Sequence, residues 1–388
     1  MPTHRLWALL VACVIVSIGA RVAVASPEAC ARPTATQARQ SATLAAEWII
    51  TNQAANGTYT YAVDGNGDDL AGYNIVRHAG VTLAVYQAVR AANDDASHEA
   101  LQEAGDRALE WMLDRLRTED DWVALAEGNS VTLGASALML AALTERRELT
   151  RDSRYDDEMR GLGNFLASMQ RPNGDFYVSY DLGTDEPDRV SISQYYAGEA
   201  MWALARLHNT LPDDEYRRGA ERAANFIATE RDDRDFVPVA PLNDHWASYG
   251  FAEMAEWPIT DAEAKYARAL YARFQLLTRW EASKDAGVPY SWTHGPERRA
   301  AALGTWVEGQ AALARLARTD DRLADLRDLT LDSTGCGAGV LVARQRESND
   351  PRVAGAWFTD DESRMDDQQH AISGLLALAD LLEQEPTS

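Results

Sequence analysis

Acidic side chains recur near the start of apolar, alanine-rich segments of this chain. Glu199 stands in an otherwise apolar stretch, and Asp244 is followed directly by His245 and Trp246. Burial raises the pKa of a carboxyl group and suits that group to donate a proton. Cleavage of a glycosidic bond needs two carboxyl groups, one protonated and one ionised. These segments therefore favour general acid–base chemistry.

Two later segments combine acids with aromatic or imidazole groups. Glu308 follows Trp306 by two residues, and a run of polar residues ending at His370 opens the last apolar segment. In a helix, Asp366 and His370 share one face, and Asp367 lies about 100° away from them. The run is longer than helix capping requires, so we interpret it as part of a pocket.

The candidate catalytic residues are Glu199 as general acid, Asp244 and Asp367 as base or nucleophile, and Glu308 in reserve. The candidate substrate-binding residues are Asn74, Arg77, His78, Tyr195, Tyr196, His245, Trp246, Trp306, Gln369 and His370. Structural roles remain open for several of them. Asp244 could cap a helix, and Glu199 could pair with an arginine such as Arg77.

A recurring glycine indicates the scaffold that must position these residues. It occurs in the first turns of every apolar segment, and the spacing is 52 to 65 residues: Gly80, Gly134, Gly198, Gly250, Gly309 and Gly374. Each apolar segment alternates with a charged, amphipathic one. Six repeats of a helical pair predict an all-α fold, a closed (α/α)6 toroid, which forms a single domain over residues 26–388.

The pattern also places the loops. The predicted outer helices are 36–53, 97–117, 152–170, 212–230, 261–283 and 321–346, and the inner helices are 74–92, 130–148, 194–210, 245–257, 302–317 and 367–384. We expect the last outer helix to be broken by its glycines near 335–339. All six long loops precede inner helices, so they share one end of the ring. Long loops are usually functional, and Asn-Gly pairs at 56–57 and 173–174 predict short β-hairpins there.

The first 25 residues are interpreted as a signal peptide. Arg5 precedes an apolar run from Leu6 to Gly19, and Ala23-Val24-Ala25 forms a small-x-small cleavage site. We expect a periplasmic or secreted protein that begins near Ser26, with no membrane insertion.

The net charge of the chain restricts the kinds of partner it can bind. Removing Arg5 and Arg21 from the 37 basic residues leaves 35 against 60 acidic ones, a net charge of −25. Such a field repels nucleic acids and anionic membranes. The expected partner is a saccharide substrate, with no nucleic acid.

Two cysteines remain after the predicted signal peptide. An even number in an oxidising compartment predicts a disulfide between Cys30 and Cys336, which would join the start of the domain to the sixth hairpin. No cysteine or histidine pair has metal-ligand spacing, so we expect no metal and no other cofactor. The turn at Asp64–Asp69 has alternating oxygen ligands, but Ile75 stands where a calcium loop needs glutamate. An acidic turn is the favoured interpretation there, and calcium stays open.

The six-hairpin pattern resembles the six-hairpin glycosidase superfamily over essentially the whole mature chain. This resemblance implies an (α/α)6 barrel, saccharide substrates and catalytic carboxylates at the mouth of the inner ring. A weaker resemblance comes from Gln53-x-x-x-Gly57-x-Tyr59 and Gln170-x-x-x-Gly174-x-Phe176. These two motifs are similar to the Gln-Trp repeats of terpenoid cyclases and prenyltransferases. In those proteins the repeats fasten loops to helices, an arrangement that we call a staple.

The leading hypothesis is an exported carbohydrate-active enzyme, foremost a glycoside hydrolase with paired carboxylates. A first alternative is a uronate lyase or epimerase. It would use Tyr195 or Tyr196 with His245 or His370 as base and acid, and Arg77 would bind the carboxylate. A second alternative is a non-catalytic toroid that binds a glycan or a protein.

Overall fold

The computed structural model describes residues 2–25, 30–92, 94–286 and 295–384. In these residues, six charged helices form an outer ring and six largely apolar helices form an inner one. The outer helices are α2 (Ala35–Thr51), α4 (Asp95–Leu113), α6 (Asp156–Ser168), α8 (Asp214–Phe226), α11 (Asp261–Ala282) and α13 (Leu326–Arg344). The inner helices are α3 (Ile75–Arg90), α5 (Leu133–Thr150), α7 (Tyr196–Thr210), α10 (His245–Glu253), α12 (Ala300–Leu316) and α14 (Met365–Glu383). The prediction of an (α/α)6 toroid is confirmed.

The inner ring closes on itself. Each inner helix contacts the next along the chain, and α14 returns to contact α3. Inner helices such as α5 are buried almost all round, as an apolar helix between two neighbours and an outer layer must be. Every long loop precedes an inner helix, so the loops gather at one end, which we call the mouth.

Two other helices lie outside this alternation, α1 (Pro2–Ala25) and the three-residue α9 (Asp232–Arg234). A π-helical turn spans Ile227–Arg231, and short 3-10 helices span Ser283–Ala286 and Asp321–Leu323. The helix α1 covers the predicted signal sequence, and Ser26 lies outside the described residues. Among the parts of the chain that the structure describes, no helix has both the length and the apolar character needed to cross a membrane.

Short strands occupy the long loops, as predicted. They are β1 (Ala62–Asp64), β2 (Leu116–Glu119), β3 (Trp122–Glu127), β4 (Ser130–Thr132), β5 (Ser179–Asp181), β6 (Glu186–Pro187) and β7 (Glu362–Arg364). The strand β1 pairs with β7, which joins the loops of the first and sixth hairpins. The strands β2 to β6 form one antiparallel sheet across the second and third hairpins. At the predicted Asn-Gly turns the pairing is reduced to single bridges, Gln53 with Tyr59 and Gln170 with Phe176.

The two glutamine motifs staple a loop to the next outer helix. Gln53 Nε2 donates to the carbonyl oxygens of Gly57 (3.3 Å) and Ala104 (2.9 Å). Gln170 repeats this arrangement with Gly174 (3.3 Å) and Gly219 (2.9 Å).

A third staple was not evident in the sequence. Gln345 Nε2 donates to the carbonyl oxygens of Gly355 and Ser41, both at 2.8 Å. The spacing between glutamine and glycine is longer here, which hides the motif. This staple joins the sixth loop to the first outer helix and so contributes to ring closure.

The predicted break in the last outer helix is wrong. Helix α13 runs without interruption through Gly335–Gly339. A Cβ on Gly337 would lie 2.8 Å from Cγ2 of Val307, and one on Gly339 would lie 1.8 Å from the carbonyl oxygen of Ala31. These glycines therefore allow close packing, and the contacts offset the conformational cost of glycine in a helix.

The predicted disulfide is confirmed. Cys30 and Cys336 are bonded, with Cα atoms 5.3 Å apart and a sequence separation of 306. The bond ties the segment before α2 to the middle of α13. Together with the pairing of β1 and β7, it fastens the first hairpin to the sixth.

The staples give a stability prediction with a matched control. Gly174 has φ +95°, and a Cβ there would lie 2.2 Å from the carbonyl oxygen of Arg222, whereas Gly128 has φ +64° and nothing within 4 Å. We expect Gly128→Ala to cost about 1 kcal/mol of unfolding free energy because only backbone strain is added. Gly174→Ala should cost about 3 kcal/mol or more because the backbone of α8 must also move. Urea denaturation measures both, and equal losses would contradict the close packing at the staple.

Candidate active site

The mouth collects the N-terminal ends of all six inner helices. Their unsatisfied amide groups make this end of each helix electropositive. Asn74 accepts a hydrogen bond from the amide of Arg77 (3.0 Å), so it caps α3. Asp244 caps α10 in the same way, whereas Asp367, the third residue of α14, accepts from the amide of the capping residue Arg364. The mouth therefore favours negatively charged or hydrogen-bond-accepting groups.

Three of the six recurring glycines make room for polar side chains that cross between inner helices. A Cβ on Gly134 would lie 2.4 Å from Oε2 of Glu199, and one on Gly198 would lie 2.6 Å from Oδ2 of Asp244. Glycine at each position therefore leaves the volume that a carboxylate of the next inner helix fills. The same holds beside Gly80, where the side-chain amide of Gln369 is 2.5 Å from the corresponding point.

Glu199 is a buried carboxyl group that contacts no arginine among the residues the structure describes. Its side chain is 4% exposed, and within the same residues Oε2 has no hydrogen-bond partner. Burial, and secondarily the charge of Asp244, raises the pKa of Glu199 to about 8. Arg77 does not pair with it, because the Nε atom of Arg77 lies 3.2 Å from Oδ2 of Asp366. Glu199 is therefore protonated at neutral pH, as a general acid must be.

Both carboxylate oxygens of Asp244 have binding partners. Oδ1 accepts from the amides of Trp246 (3.0 Å) and Ala247 (3.2 Å), and Oδ2 binds the fully buried guanidinium of Arg231. Burial raises the pKa of Asp244, and Arg231 opposes that rise. Its contacts are those of a helix cap and a buried ion pair.

Asp367 is engaged in a similar way. Arg299 Nη2 lies 2.7 Å from Oδ2, and the amides of Arg364 and Ala301 each donate at 3.0 Å. Burial raises its pKa, and the hydrogen bond from Arg299 works in the opposite direction. The carboxylate thus joins the start of α12 to the start of α14.

Three predicted residues meet in one cluster, which we call the histidine cluster: His245, Glu308 and His370. His370 Nδ1 lies 2.9 Å from Oε2 of Glu308, and His245 Nε2 lies 3.6 Å from the same oxygen. The two imidazole centroids are 5.0 Å apart, and the rings are nearly perpendicular at 89°. A Cβ on Gly304 would lie 2.5 Å from the backbone carbon of His370, so α12 and α14 touch one turn before Glu308.

The cluster gives its two imidazoles opposite protonation tendencies. Burial, together with the charge of His370, lowers the pKa of His245 well below its ordinary value. Burial also acts to lower the pKa of His370, but the charge and hydrogen bond of Glu308 outweigh it and raise that pKa. The pKa values of the two imidazoles are therefore shifted in opposite directions. Pairs whose environments separate their pKa values in this way are suited to act as base and acid.

The same three side chains have the donor types that bind a transition metal. Their candidate ligand atoms lie within 4.8 Å of one another, the one such group among the described residues. However, the hydrogen bond between Glu308 and His370 already uses an atom from each. As it stands, the cluster is arranged to share a proton. At the acidic turn, Oδ1 of Asp64 accepts from the amides of Asn66 (2.8 Å) and Asp68 (3.0 Å), so that carboxylate stabilises its own turn.

His78 lies apart from this cluster. Its Nε2 is 3.0 Å from the carbonyl oxygen of Ala108, and its ring packs on Trp111 with centroids 4.4 Å apart. Burial lowers the pKa of His78 to about 4. These contacts are those of a neutral histidine that anchors the first inner helix to α4.

Aromatic side chains surround the carboxyl and imidazole groups. Trp246 stacks against His245 with centroids 4.1 Å apart, and Tyr196 is half-buried beside Glu199. Tyr195 is 38% exposed at the mouth, and Trp306 is buried on α12. Of the predicted binding residues, Tyr195 and Asn74 are the exposed ones.

Sequence reasoning missed four residues that complete the site: Arg231, Arg299, Tyr249 and Ser373. The two arginines lie far from their carboxylate partners in the sequence, and no local pattern identifies them. Tyr249 and Ser373 follow His245 and His370 by four and three residues. That helical spacing was the available signal.

No protein-family model and no curated protein matches this chain. Several solved structures, however, match this chain in fold. A cellobiose 2-epimerase from Spirochaeta thermophila aligns with a TM-score of 0.61 and 13% identity, covering 90% of this chain and 98% of that one. A D-mannose isomerase aligns with a TM-score of 0.60 and 12% identity (87% and 95% covered), and an alpha-amylase from Clostridium perfringens with 0.53 and 11% (87% and 97%).

This chain has the (α/α)6 toroid fold of these solved structures. At these identities the likeness concerns the fold. The chemistry has to be argued from the residues described above.

The buried Glu199 gives a prediction of pH-dependent stability. Its folded pKa is raised to about 8 from 4.5, so the unfolded chain loses the proton first as pH rises. The stability that protonated Glu199 contributes is complete below about pH 4.5 and is lost as pH approaches about 8. Glu199→Gln mimics the protonated form and has no such loss. Its unfolding free energy relative to wild type should therefore rise by about 3–5 kcal/mol between roughly pH 5 and pH 8.

Chemical denaturation at several pH values measures this difference. Glu127→Gln, at an exposed strand end, is the control and should keep a constant offset from wild type. A constant offset for Glu199→Gln as well would mean that Glu199 ionises normally.

Proposed function

We propose that this chain is a carbohydrate-active enzyme that performs general acid–base catalysis on a neutral sugar at the mouth of the ring. The observation that carries the proposal is the histidine cluster. It places two imidazoles with centroids 5.0 Å apart, and their surroundings shift the two pKa values in opposite directions. Both imidazoles lie at the starts of inner helices, where aromatic side chains can pack against a sugar ring.

The reaction that this geometry supports best is proton transfer at a carbon next to a carbonyl group. His245 would take the proton from C2 of an open-chain aldose, and the electron pair would move to the carbonyl oxygen, which His370 protonates. The product of this half-reaction is an enediol. Return of a proton to the opposite face of C2 gives the epimer, and return to C1 gives the ketose. The fold shared with a cellobiose 2-epimerase and a D-mannose isomerase is consistent with such a reaction.

The charges around the mouth favour a neutral sugar over a uronate. Arg77, the expected partner of a substrate carboxylate, is already compensated by Asp366 at 3.2 Å and also contacts the hydroxyl of Tyr61. A uronate would have to displace Asp366. The net charge of the mature chain adds a general repulsion to anionic substrates.

Glycoside hydrolysis is the second candidate reaction, and Glu199 favours it. A protonated carboxyl group with one unpartnered oxygen has the properties of a general acid. The second carboxylate that hydrolysis needs is less well supported. Asp244 and Asp367 are already bound by arginines and by backbone amides. Among the described residues Glu308 has no arginine partner, so it would serve as the base. The alpha-amylase structure has a related fold.

We also propose that the protein is exported and matures at Ser26. The support is the sequence pattern of residues 1–25 together with the disulfide, which needs an oxidising compartment to persist. N-terminal sequencing of the protein recovered outside the cytoplasm should begin at Ser26. A mature chain that retains Cys13 would contradict this proposal.

The reaction is tested by incubation with cellobiose, mannose and glucose in D2O. Wild type should form either the epimer with deuterium at C2 or the ketose with deuterium at C1, and NMR detects both. His245→Ala and His370→Ala should each lower the rate by about 100- to 10,000-fold because each removes the acid or the base. His98→Ala, on the exposed face of α4, is the control and should keep the wild-type rate.

The same variants separate the two reactions. On a panel of glycans, hydrolysis should depend on Glu199, so Glu199→Gln would abolish cleavage, and no deuterium would enter the product at C2. Absence of both activities across all substrates would contradict the proposal and favour a binding toroid.

A further inference from the structure

The three side chains of the histidine cluster converge on one carboxylate oxygen. His370 Nδ1 lies 2.9 Å from Oε2 of Glu308, and His245 Nε2 lies 3.6 Å from the same oxygen. Each side chain comes from a different inner helix: His245 opens α10, Glu308 lies on α12, and His370 lies on α14. Helix α12 packs between the other two, so three rigid elements hold the three groups in place.

These distances are close to the spacing of ligand atoms around a small metal ion. Two atoms bound to a tetrahedral zinc ion at about 2.0–2.1 Å are roughly 3.3 Å apart. The two measured distances lie on either side of that value. Ligand atoms from all three residues lie within 4.8 Å of one another, so an ion would draw the imidazoles together by about 1 Å or more. It would take the place of the proton that Glu308 and His370 share.

One nitrogen of the cluster lacks a partner. His245 is 4% exposed, and its Nε2 is buried without a hydrogen bond among the residues that the structure describes. The separation of 3.6 Å from Glu308 is too long for a hydrogen bond. A buried polar atom without a partner costs free energy, and a bond to a metal ion would satisfy it. The unpartnered nitrogen therefore indicates a ligand that comes from outside the chain.

The donor set determines which kind of ion fits. Two imidazole nitrogens and one carboxylate oxygen suit ions such as Zn²⁺ and Co²⁺, whereas Mg²⁺ and Ca²⁺ require mainly oxygen ligands. Three protein ligands leave one position of a tetrahedral ion for water. The side chain of His370 is 13% exposed, which gives an ion access to the cluster. The starts of the inner helices disfavour a cation, so direct coordination has to supply the affinity.

We propose that His245, Glu308 and His370 bind one divalent transition-metal ion of the Zn²⁺ type. The spacing of these residues in the sequence does not indicate the site, because Glu308 is 63 residues from His245 and 62 from His370. A bound ion occupies the nitrogen lone pairs that acid–base catalysis uses, so it inhibits the proton transfer assigned to the two histidines. Binding itself is independent of the proposed function, and only the inhibition rests on it.

The binding test uses the full-length protein without an affinity tag. It carries Cys13→Ser, which removes the free thiol found among the described residues. After treatment with a chelator and dialysis, the protein is titrated with Co²⁺, whose visible absorption is strong in a tetrahedral site. We expect one Co²⁺ per chain, displaced by Zn²⁺ but not by Mg²⁺ or Ca²⁺. His245→Ala, Glu308→Gln and His370→Ala should each weaken binding about 100-fold or more, because each removes a ligand.

His98→Ala, on the exposed face of α4, is the matched control and should bind Co²⁺ like the wild type. Circular dichroism checks that each variant is folded. Absence of binding in the wild type, or binding that all three cluster variants retain, would overturn the inference. The wild type also decides without any variant, because displacement of Co²⁺ by Mg²⁺ or Ca²⁺ would mean an oxygen-rich site elsewhere in the chain.

Inhibition is measured in the assay with sugars in D2O. Deuterium incorporation should fall in proportion to the fraction of protein that holds Zn²⁺, and a chelator should restore it. Full activity of the Zn²⁺-saturated protein, or activity that requires Zn²⁺, would overturn the inhibitory role. Metal binding by a protein that converts no sugar would support the metal site and contradict the proposed function. Sugar conversion by a protein that binds no metal would do the reverse.

Discussion

The inner helices of this ring approach each other so closely that glycine is required where a side chain of one helix crosses to the next. Gly134 leaves space for Glu199, Gly198 for Asp244, and Gly304 brings α12 against the backbone of His370. This close packing removes the polar groups of the mouth from water. Their burial then governs everything else about the site, because a buried ionisable group must be paired or neutral.

The buried groups divide into two sets on that basis. Asp244 and Asp367 are paired with Arg231 and Arg299, and both also cap helices, so their charges stabilise the mouth. Among the described residues Glu199 has no cationic partner, and it keeps its proton instead. In the same part of the chain, the possible cationic partners of Glu308 are the histidines His245 and His370, so a proton between Glu308 and His370 is available for transfer. Groups of the second set are the ones that can do chemistry near neutral pH.

Ring closure supplies the rigidity that such chemistry needs. The last inner helix packs on the first, β1 pairs with β7, and the disulfide between Cys30 and Cys336 joins the same two hairpins. The glutamine staples hold individual loops against the next outer helix. Positions at the mouth are therefore set by the whole ring and not by single loops, which matches the need to keep an acid and a base in fixed geometry.

The sequence by itself determined the ring. Six hairpins follow from the alternation of amphipathic and apolar segments and from the glycine period. The unequal loop lengths specify the end of the ring at which the site lies. The sequence also identified Glu199, Glu308, His245 and His370 as candidate site residues, because polar groups stand out in apolar helices. Their grouping was decided only by tertiary structure. Glu308 and His370 are 62 residues apart and meet because α12 and α14 touch at Gly304. Arg231 and Arg299 pair with carboxylates that belong to other helices. The packing that keeps α13 unbroken at its glycines likewise comes from other elements. Such contacts depend on the distance between elements in space, which local sequence patterns do not encode.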